Sequence, residues 1–122
     1  MREILLIGLG GFFGAILRYF VSGIIPVKFG IPTGTLIVNL LGSFILGFIV
    51  YSSLFGSLSP EYRLLIITGF CGALTTFSTF SYESFVMLEY NHYLEVGLNI
   101  ILNVFGCLVM IYFGRLASMF FW

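Results

Sequence analysis

Apolar residues run almost unbroken through four stretches of this chain, at about residues 4–25, 33–55, 62–90 and 93–120. A helix needs about 20 mostly apolar residues to cross a bilayer, so each stretch is long enough to span. The connectors are short and more polar: 26–32, 56–61 and a tight turn near Asn91. Tyr19, Tyr51, Tyr62, Tyr90, Tyr93 and Trp122 fall near the ends of the stretches, where amphipathic rings meet the lipid–water interface. The pattern predicts an all-α membrane protein, one four-helix transmembrane domain over 1–122. The first stretch follows Arg2 like a signal peptide, but Arg18, Tyr19 and Phe20 stand where small cleavage-site residues would be, so it reads as a retained helix.

The polar positions inside the stretches are few, and each costs free energy in lipid unless it has a partner or lines a wet path. The second stretch carries Asn39, Ser43 and Gly47 at four-residue spacing; the fourth carries Asn99, Asn103 and Cys107 at the same spacing. Each set lies on one helix face. Each stripe reads either as glue between helices, through amide and hydroxyl hydrogen bonds, or as the wall of a pathway, and Asn39 leans to the second. Gly10 and Gly14 form a GxxxG pair in the first stretch. They mark a face for close backbone approach without naming its partner.

The third stretch is the anomaly. It reads TGFCGALTTFSTFSYES from Thr68 to Ser84, rich in glycine and β-branched threonine, both poor helix formers. It is also longer than a straight span requires. A break near 72–76 accounts for both, and irregular backbone at membrane depth requires burial in protein or a wet cavity. The alternative is an intact helix whose hydroxyls bond its own backbone. Phe77 and Phe80 follow at three-residue spacing and share a helical face; aromatic edges carry positive potential.

Composition confirms the solvent: 60% of residues are hydrophobic and 8% are charged, against about 25% charged in soluble domains. Five basic and five acidic residues balance, and the scattered basic residues exclude a nucleic-acid surface. Arg2, Arg63 and Arg115 lie on one side of the bilayer, with Arg18 and Lys28 on the other, so the positive-inside bias is weak. One fixed orientation and insertion in both orientations stay open, and the latter permits an antiparallel dual-topology homodimer. Arg18 is placed to snorkel to the interface or to pair with Glu83, the acid that lies deepest in a span. No paired carboxylates, nucleophile–base grouping or phosphate loop is present, so the reading is not an enzyme.

Three strings, GGFFGAILRY at 10–19, GTLIVNLLGSFILG at 34–47 and GFCGALTTFSTFSYE at 69–83, together resemble the signature stretches of the Fluc (CrcB) fluoride-channel family. The resemblance implies an antiparallel, dual-topology homodimer in the cell membrane that passively exports fluoride and protects against its toxicity. It implies a fluoride pathway lined by Asn39, Phe77 and Phe80, with Thr79 and Ser81 offering hydroxyls. Glu83 matches a pathway acid, Asn103 extends the polar face and Arg18 matches a structural arginine. Backbone carbonyls at Gly72 and Thr75 match positions that hold a structural sodium ion. Along the fourth helix the chain departs from the family's frequent Tyr and Ser, having Asn99, Asn103 and Cys107. The runners-up are a small multidrug-type, proton-coupled transporter, which needs an acid deep in the first helix where this chain has only terminal Glu3, and a non-transporting membrane subunit.

Overall fold

The computed structural model describes residues 1–56 and 58–122. Its helices are α1 (Arg2–Ile24), α2 (Thr33–Phe55), α3 (residues 60–74), α4 (Phe77–Glu89) and α5 (Tyr93–Phe121). Within α3, a turn at Pro60–Arg63 opens into a wide π-helical stretch, Leu64–Cys71, and closes with a turn at Gly72–Leu74. Four helical units are long and apolar enough to cross a membrane, with α3 and α4 together forming the third, Pro60–Glu89.

The units pack as two pairs, α1 on α3 and α2 on α5; the pairs meet where α2 reaches α1 and α3, and α4 lies against α2 and α5. Glycine decides both pairings. A Cβ on Gly10 would strike the backbone of Leu65 and Phe70, and one on Gly14 the backbone of Phe70 and Leu74. The GxxxG face therefore belongs to α3 of the same chain. In the second pair Gly47 meets the backbone of Ile111, and Gly114 that of Phe44 and Phe48. Close backbone approach gives dispersion contact that lipid tails cannot match, which is how helices associate without a hydrophobic driving force.

The α1–α2 connector forms a two-residue hairpin in which Lys28 and Ile31 exchange both backbone hydrogen bonds, at 3.2 and 3.0 Å. Phe29 and Gly30 at its tip have φ of 57° and 76°, the left-handed pair that this turn requires. The short link before α5 uses the same device at Asn91, with φ 62°; Asn tolerates this region better than most residues. At the opposite end Arg2 lies 3.9 Å from Glu61 and Arg115 sits 5.3 Å from the Tyr51 ring centroid. Trp122 packs against Gly56.

Candidate functional site: the break between α3 and α4

The third span is interrupted at the end of the expected window. Gly72 has helical angles, φ −62° and ψ −34°. The chain becomes extended only at Thr75, φ −83° and ψ 154°, and Thr76, φ −149° and ψ 117°. The break within the expected window 72–76 is thus the two β-branched threonines, while Gly72 closes the helix before them.

Several of the groups that a continuous helix would pair here find a specific substitute. Thr76 N–H donates to Asn39 Oδ1 at 2.8 Å, not to Gly72. The Asn39 amide donates back to the Thr76 carbonyl at 3.3 Å, so one side chain from α2 satisfies both backbone groups of Thr76. Arg18 Nε donates to the Ala73 carbonyl at 2.9 Å. Thr79 N–H, which would have bonded Thr75, donates to Thr76 Oγ1 at 3.2 Å and caps α4. Thr79 and Thr76 hydroxyls also meet at 3.0 Å. The Gly72 and Thr75 carbonyls are thereby released from their i+4 helical donors.

Two sequence expectations for Arg18 are overturned. Its guanidinium turns inward to the break and does not snorkel, because the Ala73 carbonyl lacks a helical donor and an uncompensated carbonyl is costly in lipid. It does not pair with Glu83: among the described residues no ion pair contains either side chain. Arg18 is held level with Ala73, before the break, whereas Glu83 lies beyond it on α4. Glu83 Oε1 is buried without a hydrogen-bond partner.

The break opens on a cavity of about 460 Å³ whose wall includes Asn39, Ser43, Gly72, Thr75, Thr76, Phe77, Phe80, Asn103 and Cys107. The polar stripes of α2 and α5 thus face the same space. Asn39 and Asn103 join across it, with Asn39 Nδ2 donating to Asn103 Oδ1 at 2.9 Å. Phe77 and Phe80 approach to 5.6 Å between ring centroids, inclined at 55°. Phe80 is 7% exposed and Phe77 is 77% exposed, so the pair runs from the protein interior to its surface. Ser81 is exposed, and its hydroxyl makes no hydrogen bond among the described residues. The structure also assembles residues that the sequence did not single out. Thr76 is a cap and a backbone anchor. Asn99, seen in the sequence only as part of a stripe, accepts from Asn103 at 3.0 Å and donates to Ser84 at 3.0 Å. The four-residue stripe signalled Asn99; nothing local signalled Ser84.

Residues 5–115 match the family described as CrcB-like protein, Camphor Resistance (CrcB). Over 122 residues, the whole of both chains, the sequence is 88% identical to the fluoride-specific ion channel FluC of Methanococcus maripaludis. It is 70% identical over 122 residues, again the whole of both chains, to the protein of that name from Methanococcus vannielii. The protein of that name from Methanocaldococcus jannaschii is 65% identical over 119 residues, 98% of this chain and 96% of the relative. The matched stretch reaches into all four membrane-spanning units and carries the break, its Asn39 clamp and the paired phenylalanines, and the chain belongs to the CrcB family.

Proposed function

We propose that this chain is a fluoride-selective channel that lets fluoride leave the cytoplasm passively. The observation that carries the reading is the cavity at the break, where amide, hydroxyl and aromatic-edge groups converge at membrane depth. Fluoride is small and strongly hydrated, so a path must replace its water with donors. Asn39 and Asn103 line the path with their amide hydrogens engaged by Thr76, Asn99 and each other, and the Thr79 and Ser81 hydroxyls and the edges of Phe77 and Phe80 are the groups that turn to the ion. The N-terminus of α4 opens on the same break and favours an anion. Glu83 stands along α4 beyond the phenylalanines as a pathway acid. The family relatives named as fluoride-specific channels support the choice of ion.

The reading includes an antiparallel homodimer. Phe77 and Ser81 are exposed and lie four apart on one face of α4, and Gly72 beside them is exposed too. A hydroxyl and freed carbonyls are costly against lipid, and a second copy covers them. The same face supports a structural sodium ion. Gly72 and Thr75 would hold it through the carbonyl oxygens that the break releases, and hard cations favour oxygen donors. When bound, the ion adds positive field at the centre of the path. Arg18 occupies the neighbouring Ala73 carbonyl and so shapes that oxygen set.

Purified protein in liposomes, loaded with potassium fluoride and opened with valinomycin, should release fluoride to an electrode and retain chloride. Retention of both ions would overturn the channel reading.

A further inference from the structure

A chain of side-chain amides leads out of the cavity to a residue that the pathway so far omits. Asn39 is oriented by the backbone of Thr76, which donates to its Oδ1 at 2.8 Å and accepts from its Nδ2 at 3.3 Å. Asn103 is oriented by the backbone of Asn99, whose carbonyl accepts from Asn103 Nδ2 at 2.9 Å. A backbone N–H only donates and a carbonyl only accepts, so neither amide can flip without losing a bond. Both anchors impose the same direction, and it passes on. Asn103 Nδ2 donates to Asn99 Oδ1 at 3.0 Å, which leaves Asn99 Nδ2 to donate to Ser84 Oγ at 3.0 Å. Asn99 is 1% exposed and Ser84 7%, so this end of the network is dry.

The network therefore fills an acceptor site on Ser84 and leaves its hydroxyl proton unused. Ser53, Thr75 and Ser118 turn their hydroxyls onto carbonyls of their own helices, at 2.9, 2.8 and 2.7 Å. Among the described residues Ser84 makes no such bond. Its position on α4 is the next one along the face begun by Phe77 and Phe80, at i, i+3 and i+7. The oriented donors thus end at a hydroxyl with a free proton, on the helix that carries Phe77 and Phe80.

We propose that Ser84 donates its hydroxyl proton to fluoride one turn beyond Phe80, and that Asn99 is the positioning residue that holds Ser84 as a donor. The proposal rests on the channel reading above. Asn99 occupies Ser84 Oγ as an acceptor and leaves the hydroxyl proton free for the path. With aspartate at position 99 the carboxylate accepts from Asn103 but has no proton for Ser84. The Ser84 hydroxyl then turns to donate to the carboxylate and is withdrawn from the path.

The test is fluoride efflux from liposomes, with each variant first shown to elute as the unsubstituted protein does. Ser84→Ala slows efflux about tenfold, the scale of one hydrogen bond to an ion. Ser84→Thr, which keeps the hydroxyl, rescues most of that loss, and Ser84→Cys, nearly isosteric with a weaker donor, falls between. Asn99→Asp is as slow as Ser84→Ala, and the two changes together are no slower than either. A role confined to packing would not separate Ser84→Cys from Ser84→Thr by donor strength, nor make Asn99→Asp and Ser84→Ala non-additive. Undiminished efflux in Ser84→Ala or Ser84→Cys overturns the donor site. Additive losses in the double variant overturn the link through Asn99. Absence of fluoride efflux from the unsubstituted protein is a different result, which sinks the channel reading itself.

Discussion

At the scale of single residues, the break depends on a few side chains that each answer a specific backbone orphan. Asn39 satisfies both polar groups of Thr76 and also reaches Asn103. Asn39→Leu leaves a backbone N–H and carbonyl unpartnered at membrane depth, so a loss of about 2–4 kcal/mol is expected from the cost of orphaned buried groups. A lowered thermal midpoint of the detergent-solubilised protein would show it. Arg18→Leu exposes the Ala73 carbonyl alone and should cost less, about 1–3 kcal/mol, with Arg18→Lys recovering part. Equal stability of the Leu variants and the unsubstituted protein would contradict the assignment of these bonds. Phe80→Ile removes the ring edge with little loss of apolar volume. It should abolish fluoride efflux while the protein still elutes as an assembled species, and full transport would count against the phenylalanine role.

At the scale of elements, each helix pair is set by glycines meeting backbone, and bulk at those positions is intolerable. Gly14→Val drives a side chain into Phe70 and Leu74 at the α1–α3 crossing, and Gly114→Val does so against Phe44 and Phe48 at the α2–α5 crossing. Overpacking usually costs about 1–3 kcal/mol and more where the neighbour is backbone, so both variants should lose the monodisperse peak on size exclusion. Gly8, with open space around its Cβ, is the control: Gly8→Ala should behave as the unsubstituted protein. The four spans were legible because lipid demands long apolar runs. The location of the break was only half legible. Glycine and β-branched threonine marked the window 72–76, and the break fell inside it on Thr75 and Thr76, where β-branching weakens the helix and Asn39 offers a replacement bond.

At the scale of the whole molecule, the protomer leaves Phe77, Ser81 and Gly72 uncovered, and the proposed second copy closes that face. A cysteine placed at Ser81 in a Cys71→Ala, Cys107→Ala background should cross-link to a dimer with a short bifunctional reagent. In cells, tags on the C-terminus should be accessible from both sides of the membrane. A single accessible side would rule out dual topology. If carbonyls at Gly72 and Thr75 hold sodium, exhaustive replacement of sodium by N-methylglucamine should lower fluoride flux, and millimolar sodium should restore it. Flux indifferent to sodium would remove that part of the proposal.

The amino-acid sequence by itself determined the membrane solvent, the four spans and the polar positions within them. These follow from local rules: a span is a run of apolar residues, and a polar side chain in lipid stands out wherever it is. The resemblance in three strings also identified the paired phenylalanines and Asn39. Only the tertiary structure decided which helix receives the GxxxG face, that Arg18 turns inward to Ala73 and away from Glu83, and that Asn99 and Ser84 join the amide chain. Each of those depends on groups far apart in sequence. The partner of a buried donor is set by which orphaned carbonyl or hydroxyl the packing brings within about 3 Å, and no spacing along the chain encodes that distance.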